Sequence, residues 1–176
     1  LVYHKIGAGK TCTAISVAKS LKKKKNIIVI LPAALIGNFR DELRSACAGN
    51  EYIKCNDRDA LKSLSPKNKE YKEIIEKSNK LIDNYYTIYS YHKFINQVDD
   101  NKIKLKNTFL IVDEVQNMVS EDGIFYKYLK KVINKSDNKT KILLLSATPM
   151  FDKPSEIALT LNLLKPKKEF DINDFN

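Results

Sequence analysis

A short segment near the beginning of the chain has the residue types of a phosphate-binding loop. Gly7 and Gly9 let the backbone approach a ligand closely, so that successive N–H groups can converge on phosphate oxygens. Lys10 would reach the terminal phosphates as a positive charge, and Thr11 would bind Mg²⁺ through its hydroxyl. Apolar residues at helical spacing follow, as such a loop requires. The residues predicted to contact the nucleotide are His4, Lys5, Ile6, Gly7, Ala8, Gly9, Lys10 and Thr11.

Two carboxylates follow an apolar run much later in the chain. Residues 108–112 are typical of a buried parallel strand. Asp113 and Glu114 come directly after it, at the end of a strand where open α/β sheets bind ligands. Asp113 would hold Mg²⁺, and Glu114 would polarise the water that attacks a phosphate. With Lys10 and Gln116, these two acids form the predicted catalytic set.

A third segment, an apolar run followed by small hydroxyl residues, is informative because it follows the other two segments along the chain. Residues 142–145 are apolar and are followed by the small residues Ser146, Ala147 and Thr148. Alone, this pattern is an ordinary exit from a strand. After a phosphate loop and a strand-end acid pair, it indicates a chain that binds a nucleoside triphosphate with Mg²⁺ and hydrolyses it.

The three segments resemble motifs I, II and III of superfamily 2 helicases and translocases. In this sequence they are Gly-x-Gly-Lys-Thr, Asp-Glu-x-Gln and Ser-Ala-Thr-Pro. His4 stands where motif I usually begins with glycine, and Gln116 where the superfamily more often has Asp or His. Superfamily 1 helicases use Asp-Glu-x-Gln, but their third motif is built around Gly-Asp and Gln. The third motif therefore favours superfamily 2.

Other segments narrow the resemblance. Residues 31–39, 89–92, 146–150, 156–157 and 161–164 are similar to the Swi2/Snf2-related branch. Within that branch they look most like the helicase-like transcription proteins of large DNA viruses, of the type of the small subunit of the poxvirus early transcription factor.

The resemblance implies a RecA-like lobe that uses ATP and Mg²⁺. It implies ATP hydrolysis that depends on nucleic acid, with duplex DNA favoured, and partners among RNA polymerase or other transcription proteins. Ser146, Ala147 and Thr148 would couple hydrolysis to movement. Pro32, Ala33 and Ser90 would lie along the nucleic-acid track.

The same resemblance implies an incomplete motor. Residues 1–165 would form the first ATP-binding domain, clipped at its N-terminus, and 166–176 a linker towards a missing second RecA-like lobe. That second lobe supplies the arginine finger, which is worth about 10³–10⁵ in rate. We therefore expect this chain alone to bind nucleotide weakly and to hydrolyse it poorly.

The elements that must position these residues alternate between strand and helix. This order predicts an α/β fold with a mostly parallel sheet flanked by helices. Strands are predicted at 1–3, 26–31, 86–90, 108–113 and 141–146, and helices at 10–23, 34–47, 68–79, 123–134 and 154–164. Residues 50–84 are polar and Lys-rich, and we expect an inserted helical or loop segment at the periphery of the sheet.

Composition limits the classes of function. The net charge is +10, and only three of the 31 basic residues are arginine. The charge favours a polyanionic partner, although abundant Lys with scarce Arg is also typical of an A/T-rich genome. No apolar stretch is long enough to span a bilayer, so no membrane partner is expected. Three cysteines without metal-ligand spacing suggest reduced thiols and an intracellular location, in the cytoplasm or in a viral factory or virion, rather than secretion.

Two alternatives remain open. One is another phosphate-loop enzyme, such as a small-molecule kinase or an AAA-type ATPase, although Ser146 to Pro149 fit neither well. The other is a non-catalytic helicase-like scaffold. Lys10, Thr11, Asp113 and Glu114 argue against a scaffold, because it has no physical need for all four.

Overall fold

A parallel four-stranded sheet forms the centre of the molecule. The computed structural model describes residues 9–119, 123–148, 153–165, 167–171 and 173. The strands are β1 (Asn26–Leu31), β2 (Tyr86–Ser90), β3 (Thr108–Val112) and β4 (Lys141–Leu144). Their order across the sheet is β2-β1-β3-β4, and all three pairings are parallel. The predicted fold class is confirmed, and the predicted strand at 1–3 lies outside the described residues.

Seven α-helices surround the sheet in the described part of the chain. They are α1 (Lys10–Leu21), α2 (Ile36–Arg44), α3 (Cys55–Ser63), α4 (Lys69–Asp83), α5 (Tyr91–Asp99), α6 (Ile124–Asn134) and α7 (Ser155–Asn162). Short 3₁₀ helices lie at Ala33–Leu35, Ala46–Ala48 and Val115–Met118. The predicted helix at 34–47 is interrupted, because Ser45 is extended and its side chain accepts a hydrogen bond from the N–H of Cys47.

The sheet has an apolar core on each face, and β3 contributes to both. All five residues of β3 are buried. Phe109 and Ile111 pack with α1, α2 and α4, whereas Leu110 and Val112 pack with α5, α6 and α7. Side chains alternate along a strand, so a strand buried on both faces is apolar at nearly every position, as the last four residues of β3 are. The end of β3 is therefore fixed firmly in space.

The segment 50–84 is helical and is tied into the fold. It contains α3 and α4, and α4 buries Ile74, Ser78 and Ile82. The guanidinium of Arg44, itself buried, donates a hydrogen bond to Ser78 Oγ at 3.1 Å. A buried arginine has to be paired, so this contact locks α2 onto α4.

The described part of the predicted linker contacts α7. The N–H of Phe170 donates to Asn162 Oδ1 at 2.9 Å, and Asn162 Nδ2 donates to the carbonyl of Phe170 at 3.0 Å. Lys130 forms an ion pair with Glu169 at 2.6 Å. None of the described helices is long and apolar enough to cross a membrane.

A disulfide joins Cys12 to Cys47, so the expectation of reduced thiols is wrong for this pair. Cys12 lies in the first turn of α1 and Cys47 in the 3₁₀ helix after α2, with their Cα atoms 5.7 Å apart. The two positions are separated by 35 residues, and nothing in that spacing indicates that α1 packs against the second segment. Cys55 is free and exposed. Disulfides persist mainly in oxidising surroundings.

We expect reduction of the disulfide to destabilise the chain. Opening a closed loop of this length costs about 3–4 kcal/mol of unfolding free energy, because the unfolded chain regains conformational freedom. Urea unfolding with and without a thiol reductant measures the change, and Cys55→Ser is the control that leaves the disulfide intact. Identical unfolding midpoints in the two conditions would contradict this expectation.

Candidate functional site

Asp113 is a buried acid at the carboxyl end of the central strand. Its N–H donates to the carbonyl of Ile30 at 2.8 Å, which continues the pairing of β1 with β3 by one residue. The side chain is only 6% exposed. Burial raises the pKa of Asp113, and the charge of Glu114 raises it further, while a hydrogen bond from the Glu114 N–H and the charge of Lys10 act in the opposite direction. The carboxylate is thus held where its charge is unfavourable without a cation.

Glu114 adopts a left-handed backbone conformation, with φ 51° and ψ 48°. This region is unusual for a residue other than glycine and costs on the order of 1–3 kcal/mol, so it persists only where neighbouring structure enforces it. Its N–H donates to Asp113 Oδ1 at 3.0 Å. The chain turns away from the strand direction at Glu114 and then begins the 3₁₀ helix Val115–Met118.

A chain of hydrogen bonds links Glu114 to the end of β4. Gln116 Nε2 donates to Glu114 Oε2 at 2.5 Å, and Ser146 Oγ donates to Gln116 Oε1 at 2.7 Å. The N–H of Thr148 donates to Ser146 Oγ at 3.1 Å. The amide of Gln116 therefore bridges a carboxylate and a hydroxyl, because it offers an NH₂ donor and a carbonyl acceptor on one side chain.

The described part of the phosphate loop lies at the start of α1. Gly9 has φ +80°, a conformation in which a side chain would be strained. Lys10 and Thr11 are the first two residues of α1, whose first turn contains no acidic residue. The N-terminus of a helix carries partial positive charge and favours phosphate binding. The other predicted loop residues, His4, Lys5, Ile6, Gly7 and Ala8, lie outside the described residues.

The residues predicted to hold Mg²⁺ have suitable chemistry. Thr11 offers a hydroxyl and Asp113 a carboxylate, and hard oxygen donors suit this cation. The raised pKa of buried Asp113 is an independent observation that fits a positive ion beside it.

The predicted nucleic-acid residues lie on the same edge of the sheet. Pro32 follows β1 directly, and Ala33 begins the next 3₁₀ helix. Ser90 pairs with Leu31 at the end of β2, and its hydroxyl accepts a hydrogen bond from the N–H of Lys93 at 3.3 Å, capping α5. Ala33 is exposed, whereas Pro32 and Ser90 are half-buried.

Sequence reasoning missed Tyr91 as a residue of this site. Its hydroxyl lies 2.8 Å from the carbonyl oxygen of Asp113 and 2.9 Å from that of Glu114. Tyr91 is the first residue of α5, a helix that was not predicted. A signal was present, because Ser90 is a favourable cap and the buried residues Tyr91, Phe94 and Val98 have helical spacing.

The fold and the geometry together define a class. A parallel sheet with a glycine turn, a helix N-terminus and strand-end carboxylates along one edge has the fold of a RecA-like lobe. A family model described as the SNF2-related domain matches residues 1–176, and the chain belongs to that family. The resemblance to the Swi2/Snf2-related branch of superfamily 2 is thereby confirmed.

The similar proteins come from viruses and archaea. A protein of Acanthamoeba polyphaga mimivirus, named as a putative ATP-dependent RNA helicase, is 51% identical over 172 residues, which cover 98% of this chain and 30% of that protein. A termination factor NPH-I homolog of African swine fever virus is 25% identical over 179 residues, covering 93% of this chain and 22% of that protein. The Sulfolobus solfataricus SWI2/SNF2 ATPase core, solved in complex with dsDNA, has a TM-score of 0.61 at 20% identity, covering 98% of this chain and 32% of that chain. This chain thus spans a third or less of each.

We expect Asp113→Asn to stabilise the nucleotide-free chain. Because the folded pKa of Asp113 is raised, its charge costs stability at neutral pH, and this cost disappears as the pH falls through the folded pKa. Replacing a destabilising site residue of this kind commonly raises the free energy of unfolding by about 0.5–2 kcal/mol. Urea unfolding at pH 7 measures the gain in unfolding free energy.

Asp137→Asn is the matched control and should change stability in the opposite direction. Its carboxylate accepts hydrogen bonds from Thr140 and from the N–H of Asn107, and the bond from Thr140 is the main cause of its lowered pKa. The stability that Asp137 contributes is present above the ordinary pKa and is lost as the pH falls through the lowered value. A loss of stability in Asp113→Asn equal to that in Asp137→Asn would refute this account.

Proposed function

We propose that this chain is the first ATP-binding lobe of a nucleic-acid translocase, which hydrolyses Mg–ATP to drive movement on DNA. The hydrogen-bond chain from Ser146 through Gln116 to Glu114 carries this proposal. It connects the acid suited to activating water with the exit of a different strand. A site built for hydrolysis alone needs the acid but has no need of this connection.

Each side chain has a role that its position supports. The N–H groups at the start of α1 and the Lys10 ammonium would bind the phosphates. Thr11 and Asp113 would hold Mg²⁺, which when bound neutralises charge on the phosphate oxygens. Glu114 would accept a proton from the attacking water, and Gln116 would hold the Glu114 carboxylate in one orientation.

Duplex DNA is the favoured track. The net charge of +10 suits a polyanion, and the Sulfolobus relative was solved with dsDNA. Pro32, Ala33 and Ser90 would contact the track, since they share the carboxyl edge of the sheet with the nucleotide site. The name of the mimivirus relative points to RNA, so the experiment below includes RNA as a separate arm.

We place the whole protein in viral transcription or in remodelling of nucleic-acid complexes, within the infected cell or virion. The termination factor homolog among its relatives supports a partner in the transcription machinery, such as RNA polymerase. In this proposal residues 1–165 are the ATP-binding domain and 166–176 lead to a second RecA-like lobe. That lobe would supply an arginine finger, so the chain alone should hydrolyse ATP poorly.

The first test is ATP hydrolysis by the full-length parent protein, titrated separately with duplex DNA, single-stranded DNA and RNA. We expect duplex DNA to stimulate turnover most. Glu114→Gln should lower kcat by about 10²–10⁴-fold while ATP still binds, because the proton acceptor is lost and the phosphate contacts are kept.

The alternatives give different outcomes in that assay. Hydrolysis that none of the three nucleic acids stimulates would favour another phosphate-loop enzyme. Absence of hydrolysis with ATP still bound would favour a scaffold.

A second test concerns the coupling residues. We expect Ser146→Ala combined with Thr148→Ala to slow movement on DNA by at least about tenfold more than it slows ATP hydrolysis, because the bond to Gln116 is lost while Glu114 remains. Ser63→Ala is the matched control, because it removes an exposed hydroxyl at the end of α3 that bonds locally, to the carbonyl of Ala60. Equal losses of movement and hydrolysis would count against coupling.

A further inference from the structure

The backbone at Glu114 needs support that the hydrogen-bond chain to Ser146 does not supply. That chain acts on the Glu114 side chain, whereas the left-handed conformation concerns the peptide groups on either side of it. The following N–H, of Val115, donates to the carbonyl of Leu145 at 2.9 Å. The carbonyls of Asp113 and Glu114 both point to one side chain, that of Tyr91.

Tyr91 reaches these carbonyls from another part of the fold. It follows β2, which is separated from β3 by β1. Its ring is buried, packs in the core formed by α5, α6 and α7, and lies 5.7 Å from the ring of Phe125. The ring position is therefore set by helix packing, and the hydroxyl is fixed relative to the end of β3.

The hydroxyl is oriented as a donor. A carbonyl oxygen can only accept, so the Tyr91 hydroxyl is the donor in both contacts. Its single proton is shared between the two carbonyls. Burial raises the pKa of Tyr91, so the proton stays in place throughout the neutral range.

We propose that Tyr91 is a positioning residue for ATP hydrolysis, whose hydroxyl fixes the left-handed peptide at Glu114 and thereby aims the Glu114 carboxylate. The proposal rests on the proposed function, since it assigns Glu114 the task of activating water. The Tyr91 hydroxyl bonds to the backbone carbonyls of the two acids, whereas the proposed phosphate contacts belong to the start of α1. Its loss should therefore affect turnover rather than nucleotide binding.

The test is Tyr91→Phe in the full-length parent protein. This variant keeps the ring and removes only the hydroxyl. We expect kcat for ATP hydrolysis to fall by about tenfold, with KM for ATP and the affinity for a fluorescent ATP analogue unchanged within about twofold. Such a split distinguishes positioning of the acid from general damage, which would weaken nucleotide binding as well.

Tyr126→Phe is the matched control. The Tyr126 hydroxyl also donates to a backbone carbonyl, that of Leu159 at 3.3 Å, and burial raises its pKa to about 12. In the described part of the structure this hydroxyl bonds to Leu159 and to neither Asp113 nor Glu114, so its loss should leave kcat unchanged. If Tyr91→Phe does not fold, Phe125→Leu replaces it, because the half-buried Phe125 ring packs against the Tyr91 ring and its loss loosens the position of the hydroxyl. We expect a fall of about two- to threefold in kcat with KM unchanged.

The outcomes separate this proposal from the one it rests on. Wild-type hydrolysis with equal kcat in Tyr91→Phe and Tyr126→Phe overturns the role of Tyr91 alone. Unchanged kcat in Phe125→Leu overturns it too, should that variant be needed. A loss in Tyr91→Phe that appears in ATP affinity rather than in kcat also overturns it. If the wild type does not hydrolyse ATP, or if Glu114→Gln is as active as the wild type, both proposals fail.

Discussion

The left-handed peptide at Glu114 is the constraint around which the carboxyl edge of the sheet is arranged. A residue with a side chain does not hold this conformation by preference. Here the preceding residue is paired to β1, the following N–H is paired to Leu145, and Tyr91 binds the two carbonyls between them. Three separate parts of the chain thus converge on one turn. The position of the acid follows from the packing of the whole sheet rather than from its local sequence.

The same edge shows a conflict between stability and chemistry. Asp113 ends a strand that is apolar on both faces, and its charge is placed where water hardly reaches. In the isolated protein this arrangement is unfavourable, and among the described residues Lys10 and one backbone N–H offset it. Such a cost is typical of sites that bind a cation together with an anionic ligand, because the bound cation stabilises the buried carboxylate. The buried apolar strand is rigid, and it therefore fixes the position of the acid at its end.

Much of the fold and the main site segments could be predicted from the sequence, because their signals are local. The apolar run before Asp113 predicts a buried strand from a few neighbouring residues. The glycine-containing turn before α1 likewise predicts the start of a helix. The roles proposed for Ser146 and Gln116 came from the resemblance to helicase motifs, and the structure brings their side chains within 2.7 Å. Whether these residues perform the predicted chemistry stays a prediction.

What could not be predicted depends on contacts between distant segments. Tyr91 was one of many tyrosines, and only the packing of α5 against α6 gives its hydroxyl a particular target. The pairing of Cys12 with Cys47 likewise requires knowledge of how α1 lies against the turn after α2. The break at Ser45 came from a side chain competing with the helix for a backbone N–H.

The disulfide also has a mechanical meaning. It closes a covalent ring that contains most of α1, all of β1, and the segment with Pro32 and Ala33. The helix that begins the phosphate site and the strand end beside it cannot be pulled far apart without breaking a covalent bond. In the proposed motor, a covalent cross-link would thus carry part of the force between the nucleotide site and the DNA. The described elements on the opposite face of the sheet are held by side-chain packing and hydrogen bonds.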